Sequence, residues 1–133
     1  IHGDGVMVRI LTRLGQVREA EEKYRRELVD FKMGEVYGNL RAIIADEDVE
    51  VRAGEVKPVK IKEVSIPANH IVFMCAYATN PLGHPIAAGE ETPLPISMDR
   101  KADHATFVAA ADGKISRNDL LGVLIILPVE LTH

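Results

Sequence analysis

Three residues carry most of the acid–base and ligand-binding potential of this chain: His84, Asp103 and His104. Imidazole exchanges protons near neutral pH and is the commonest metal ligand. A neighbouring carboxylate can hold such a ring in the orientation that proton transfer requires. His84 stands in the stretch Asn80-Pro81-Leu82-Gly83-His84-Pro85, dense in chain-breaking residues. That composition predicts a loop, and loops on a rigid scaffold are where binding groups collect. The plainer role for His84 is to hold a turn. Asp103 and His104 precede an apolar run at 105–110, so they are expected at a strand entrance, where adjacent side chains point to opposite faces. An enzyme built on these residues requires all three in one pocket.

The remaining chemistry-bearing residues have simpler readings. His70 follows Pro67-Ala68-Asn69 and reads as a solvated turn residue. Cys75 lies within Val72-Phe73-Met74-Cys75-Ala76-Tyr77; a nucleophilic thiolate needs an electropositive, partly exposed setting, so this thiol reads as core. Asp112 reads as a turn residue beside Gly113, in the Asp-Gly pair that marks tight hairpins. The acidic run at 46–48 lacks the spaced oxygens and central glycine of a calcium loop. No histidine or cysteine spacing matches a metal site, and no phosphate loop, nucleophile elbow or Cys-x-x-Cys pair occurs. No metal and no cofactor is expected, and the sequence leaves open whether the chain is an enzyme.

Composition bounds the partners. The chain has 133 residues and a net charge of −4, the length of one domain and the wrong sign for an extended phosphate-binding face. Lys57, Lys60 and Lys62 form the one basic cluster, at mixed strand parity, which reads as solvated strand surface. Nucleic acid is not an expected partner. Neither is a membrane, because no run of about 18 apolar residues is present. The lone Cys75 suits a reducing cytoplasm, and the absence of Trp with abundant Glu, Lys and Arg suits a thermophilic source. Hydrophobic residues make up 47% of the chain, and the runs at 71–79 and 120–127 lack polar alternation. That pattern predicts sheet surface covered by a second copy, hence a homo-oligomer.

The elements that must position these residues are mostly strands. Residues 1–6 read as a tag remnant or disordered lead-in, and 7–133 as a single domain. A period-two pattern predicts a strand at 8–14. Over 16–31, Val17, Ala20, Tyr24, Leu28 and Phe31 recur three or four apart among charged residues, which predicts one amphipathic helix. Short strands then alternate with turns: a strand at 40–45, Val49 and Val51, a long strand from Val56 to Ile66 with a bulge near Pro58, and the two apolar runs above. Strands punctuated in this way predict a mainly β fold, a sandwich or barrel, with one N-terminal helix.

Two resemblances add to this. The words Asp-His-Ala-x-Phe-Val-Ala-Ala-x-Asp-Gly-Lys-Ile, Asp-Leu-Leu-Gly-Val-Leu and Ile-Ala-Asp-Glu-Asp-Val-Glu-Val-Arg-Ala-Gly-Glu resemble an archaeal family known as domain of unknown function number twenty-two, from about Leu40 onward. The resemblance implies an archaeal source and no particular activity. The stretch from Asn118 to Val129 is similar to the closing strand of the dUTPase-like, or β-clip, proteins, which implies a β-clip-like barrel. The Arg-Ser-Gly and Gly-x-Ile-Asp segments of those enzymes are missing here, so that likeness implies a fold and not nucleotide hydrolysis.

Three functions fit the sequence: a small-ligand-binding or assembly module, an enzyme using His84, Asp103 and His104, and a scaffold subunit that docks a partner through the helix at 16–31. The fate of the helix stripe separates the last from the others. Replacing Tyr24 or Leu28 with Ala should cost about 2–5 kcal/mol each if both are buried against the chain's own sheet. Thermal melting of the two variants measures this, and an unchanged melt with lost association would identify a docking surface.

Overall fold

The computed structural model describes residues 29–132, so the expectations for the lead-in, the strand at 8–14 and the helix up to residue 28 lie outside the described residues. The described part is built from nine strands: β1 (Val29–Met33), β2 (Val36–Ile44), β3 (Val49–Val51), β4 (Val56–Ile66), β5 (His70–Met74), β6 (Gly83–Gly89), β7 (Arg100–Ala109), β8 (Gly113–Ile115) and β9 (Leu120–Pro128). They form a four-stranded sheet in the order β1-β2-β9-β5, a three-stranded sheet β4-β7-β6 and the pair β3-β8. Every pairing is antiparallel. No helix among the described residues is long and apolar enough to cross a membrane.

The expected helix cannot reach Phe31. Val29–Met33 pairs with β2, Val29 opposite Leu40 and Phe31 opposite Gly38. The hairpin turns at Gly34, whose φ of 62° glycine adopts at no steric cost. Val29, Phe31 and Met33 therefore follow the period of a strand, and the helical spacing of Leu28 and Phe31 is coincidental.

One core holds the three sheets together. The four-stranded sheet contributes Ile43, Leu121, Leu124 and Ile126, the three-stranded sheet Val59, Ile61, Ala105 and Phe107, and the short pair Val51 and Ile115. Gly122 on β9 lets Pro85 of β6 approach closely: a Cβ at Gly122 would lie 2.7 Å from Pro85 Cγ.

The sheets do not close into the expected barrel. Near the Ile43/Ile44 irregularity β2 leaves β9, and Ala45 makes a lone bridge to Ile61 of β4. That bridge joins one corner of the two large sheets, while β1, β5 and β6 remain at open ends of the strand order. A second register shift falls between Lys60 and Val64 of β4, not at Pro58, which sits regularly opposite Thr106. The core-facing residues record the slip, running Val59, Ile61 and then Val64, Ile66.

The Asp112-Gly113 pair closes no hairpin, since β7 pairs with β4 and β6 while β8 pairs with β3. Asp112 Oδ1 instead accepts the Ala53 N–H at 2.8 Å, tying two turns that lie far apart in sequence. Gly113 is required for closeness, because a Cβ there would stand 2.5 Å from Leu82 Cδ2.

Phe107 is fully buried at the centre of the core. Phe107→Ala should therefore cost about 3–5 kcal/mol, read as a fall in denaturant midpoint, whereas Ile86→Ala at an exposed position of β6 should cost well under about 1 kcal/mol.

Candidate functional site

The structure brings two of the three candidate residues together. Asp103 and His104 sit on β7 beside the irregular stretch of β4, where only Asp103 lies between the partners of Lys60 and Val64. The strand's alternation breaks here: Ala102 and Ala105 are both buried. As a result the two adjacent side chains meet instead of pointing apart, with His104 Nδ1 2.7 Å from Asp103 Oδ1. An ionised carboxylate only accepts, so the shared proton is carried on Nδ1. The hydrogen bond from His104 holds the Asp103 carboxyl below the usual carboxylate range, with the charges of His104 and Lys101 adding to it.

His84 stands apart from this pair. It lies in β6 and not in a loop, half-buried and opposite Val108. His104 is four residues back along β7, about 13 Å at strand rise. Hydrogen bonds to one small substrate reach roughly 3 Å, so the three side chains do not share a pocket. His70 is half-buried, its Nδ1 2.9 Å from the Ala68 carbonyl, and its own carbonyl accepts from Arg100 Nη2. Among the described residues no group of three His, Cys, Asp or Glu side chains is placed to hold a metal ion.

Among the described residues two clefts lie elsewhere, both lined by Lys114 of β8. The larger, about 650 Å³, is lined by charged residues that include Glu50, Arg52, Glu55, Lys57 and Asp112. Most of these are already engaged: Lys57 Nζ donates to the Glu50 carbonyl and lies 3.6 Å from Glu55, while Glu55 accepts the Arg52 N–H.

The smaller cleft, about 380 Å³, lies between Thr79, Asn80, Pro81 and Leu82 on one side and Lys114, Asp119 and Leu120 on the other. Both walls are pinned. Asn80 Nδ2 donates to the Leu120 carbonyl at 3.1 Å, and its Oδ1 accepts the Leu82 N–H at 2.9 Å. Asp119 Oδ2 accepts the Ser116 N–H at 2.8 Å, and Asn118 takes a φ of 76°. The backbone of Asn118 and Asp119 is anchored on Ala45. Within this frame two polar groups are left over. Thr79 Oγ1 is buried without a hydrogen-bond partner. The Lys114 side chain is exposed and lines both clefts.

Sequence reasoning passes over Thr79 and Lys114. The only signal is the density of Asn, Pro and Gly at 80–85, which marks the loop that forms one wall of the cleft.

Comparison with known proteins matches residues 7–113 to the family described as a domain of unknown function, DUF22. The chain belongs to this family. It is also 33% identical over 128 residues to an uncharacterised protein of the archaeon Methanocaldococcus jannaschii, covering 94% of this chain and 97% of that protein. No solved structure matches. The family match reaches back well before Leu40 and stops at Gly113, so Lys114, Asp119 and Leu120 lie just beyond it.

Because the folded pKa of Asp103 is depressed, the stability this pair supplies is present above the unfolded carboxylate's pKa and is lost as pH falls through the folded value. NMR titration of the Asp103 carboxyl should give a midpoint below the ordinary aspartate range. His104→Ala should return it to that range, and an unmoved midpoint would mean that the hydrogen bond is not its cause.

Proposed function

We propose that this domain is a small-ligand-binding module whose ligand carries a carboxylate and a short apolar body. The observation that carries this reading is the smaller cleft itself, where the exposed Lys114 stands against an apolar wall of Pro81, Leu82 and Leu120. Thr79 beside it holds a buried hydroxyl without a partner, which costs about 1–3 kcal/mol. Lys114 offers a cation at the mouth, and its compact ammonium suits an anionic group of any orientation. Pro81, Leu82 and Leu120 supply an apolar floor. The volume of about 380 Å³ lies at the small end of ligand pockets, which begin near 300 Å³. A cytoplasmic setting, with Cys75 kept reduced, is consistent with such a role.

The test is a titration of the protein with short aliphatic mono- and dicarboxylates, followed by amide NMR. Binding members should move the resonances of 79–82, Lys114 and Leu120. Lys114→Met should weaken them about tenfold, near 1.4 kcal/mol. Thr79→Val keeps the shape of the wall and removes the orphaned hydroxyl, so it should raise the melting temperature. If no member of the series moves these resonances, the reading fails.

A further inference from the structure

The four-stranded sheet has a second face, turned away from the core, and that face is apolar from edge to edge. Val29, Leu40, Ile125 and Phe73 stand opposite one another and make a single row across all four strands. The next row runs from Phe31 past Gly38 to Leu127; a Cβ at Gly38 would strike both of those side chains. On the other side of the first row, Ala42 pairs with Val123. The burial of the face is uneven. Phe73, on the edge strand, is 51% exposed, whereas Val123, near the centre, is 6% exposed although it lies outside the core cluster. The core to which the other two sheets contribute lies on the opposite side, with Leu124, Ile126 and Ile43.

We infer that this outer face is the docking surface for residues 16–28 of the same chain, packed through Val17, Ala20, Tyr24 and Leu28. The chain enters β1 at Val29, the first residue of the apolar row, so the segment before it begins at the edge of this face. Thirteen residues in helical form extend about 20 Å, and four strands span about 14 Å between the outer axes. Laid obliquely over β2 and β9, one helix of that length covers the centre of the face and leaves the edge at Phe73 open. The chemistry matches as well. The three rows named here carry no charge, and the segment sets its four apolar residues on one side and Glu19, Glu22, Lys23 and Arg26 on others. Glu21 and Glu27 fall at the margins of that apolar stripe, at the rim of the contact and in reach of water. This inference is independent of the ligand cleft.

Hydrogen exchange on the full chain, read by mass spectrometry with the molecular mass measured alongside, tests it. Amides of 17–28 should exchange at least a hundredfold slower than an unstructured peptide in a species of 14.6 kDa. Ile125→Asp should abolish that protection, and so should Leu40→Asp at its partner position on β2. Val108→Asp, on the other large sheet, should leave it intact. Retained protection of the β7 amides reports that each variant is folded, and Leu40→Asp serves where Ile125→Asp unfolds. Unprotected amides in the natural protein overturn the inference. Protection seen only at twice the monomer mass gives the face to a second copy and also overturns it. Protection that survives both substitutions in the folded protein places the segment elsewhere and overturns it too.

Discussion

Strand β9 is apolar on both of its faces, and the arrangement of the other strands follows from covering it. Leu124 and Ile126 belong to the shared core, while Val123, Ile125 and Leu127 alternate with them on the other side, and the irregular step at the start of the strand turns Leu121 into the core as well. A fully buried side chain of this size is worth about 1.5–3 kcal/mol relative to exposure, so leaving either face wet would forfeit several such contributions. A strand of this kind cannot sit at an edge. Here β2 and β5 flank it in register, and its backbone is satisfied on both sides. The three-stranded sheet then covers the core face, brought close by Gly122, which leaves room for Pro85.

That covering explains why the sheets stay open. Closure into a barrel requires continuous hydrogen bonding around the circuit. In this chain β2 leaves β9 at the Ile43/Ile44 irregularity, and β4 slips register between Lys60 and Val64. Both irregularities lie close to the Ala45 to Ile61 bridge. The bends turn the strands over the core at one corner, and one bridge is what remains of the circuit. The same irregular stretch breaks the alternation around Asp103 and His104, so a feature of the scaffold produces the hydrogen-bonded pair on its surface.

Much of this is legible from residue pattern. The unbroken apolar run at 120–127 predicts a central strand, and β9 occupies that place. Val59, Ile61, Val64 and Ile66 record the slip in β4 in their own spacing, yet Pro58 draws attention because proline is the familiar marker of a break. Asp112-Gly113 has the composition of a hairpin turn. Its real constraint is the nearness of Leu82, some thirty residues earlier, which no local pattern encodes. Pro85 has the neighbours of a loop residue and is buried in β6, because an edge position of a sheet tolerates a missing N–H. The same tolerance puts His84 in a strand where its surroundings predict a loop. Phe31 fits both a helical stripe and a strand, and only its pairing with Gly38 decides between them.

The smaller cleft is illegible for a different reason. Its walls come from the segment after β5 and from the turn between β8 and β9, and Asn80 joins them through one bond to the Leu120 carbonyl. Thr79 is unremarkable among the polar residues of the chain until its hydroxyl is seen to be buried alone. Lys114 gains its position only because β8 pairs with β3 and not with β7. Gly113 links this site to the fold: having no side chain, it lets Leu82 pack against β8 and form the cleft floor. A methyl group at Gly113 would displace the end of the Leu82 side chain that lines the cleft. The glycine thus sets the shape of the site while contributing no functional atom to it.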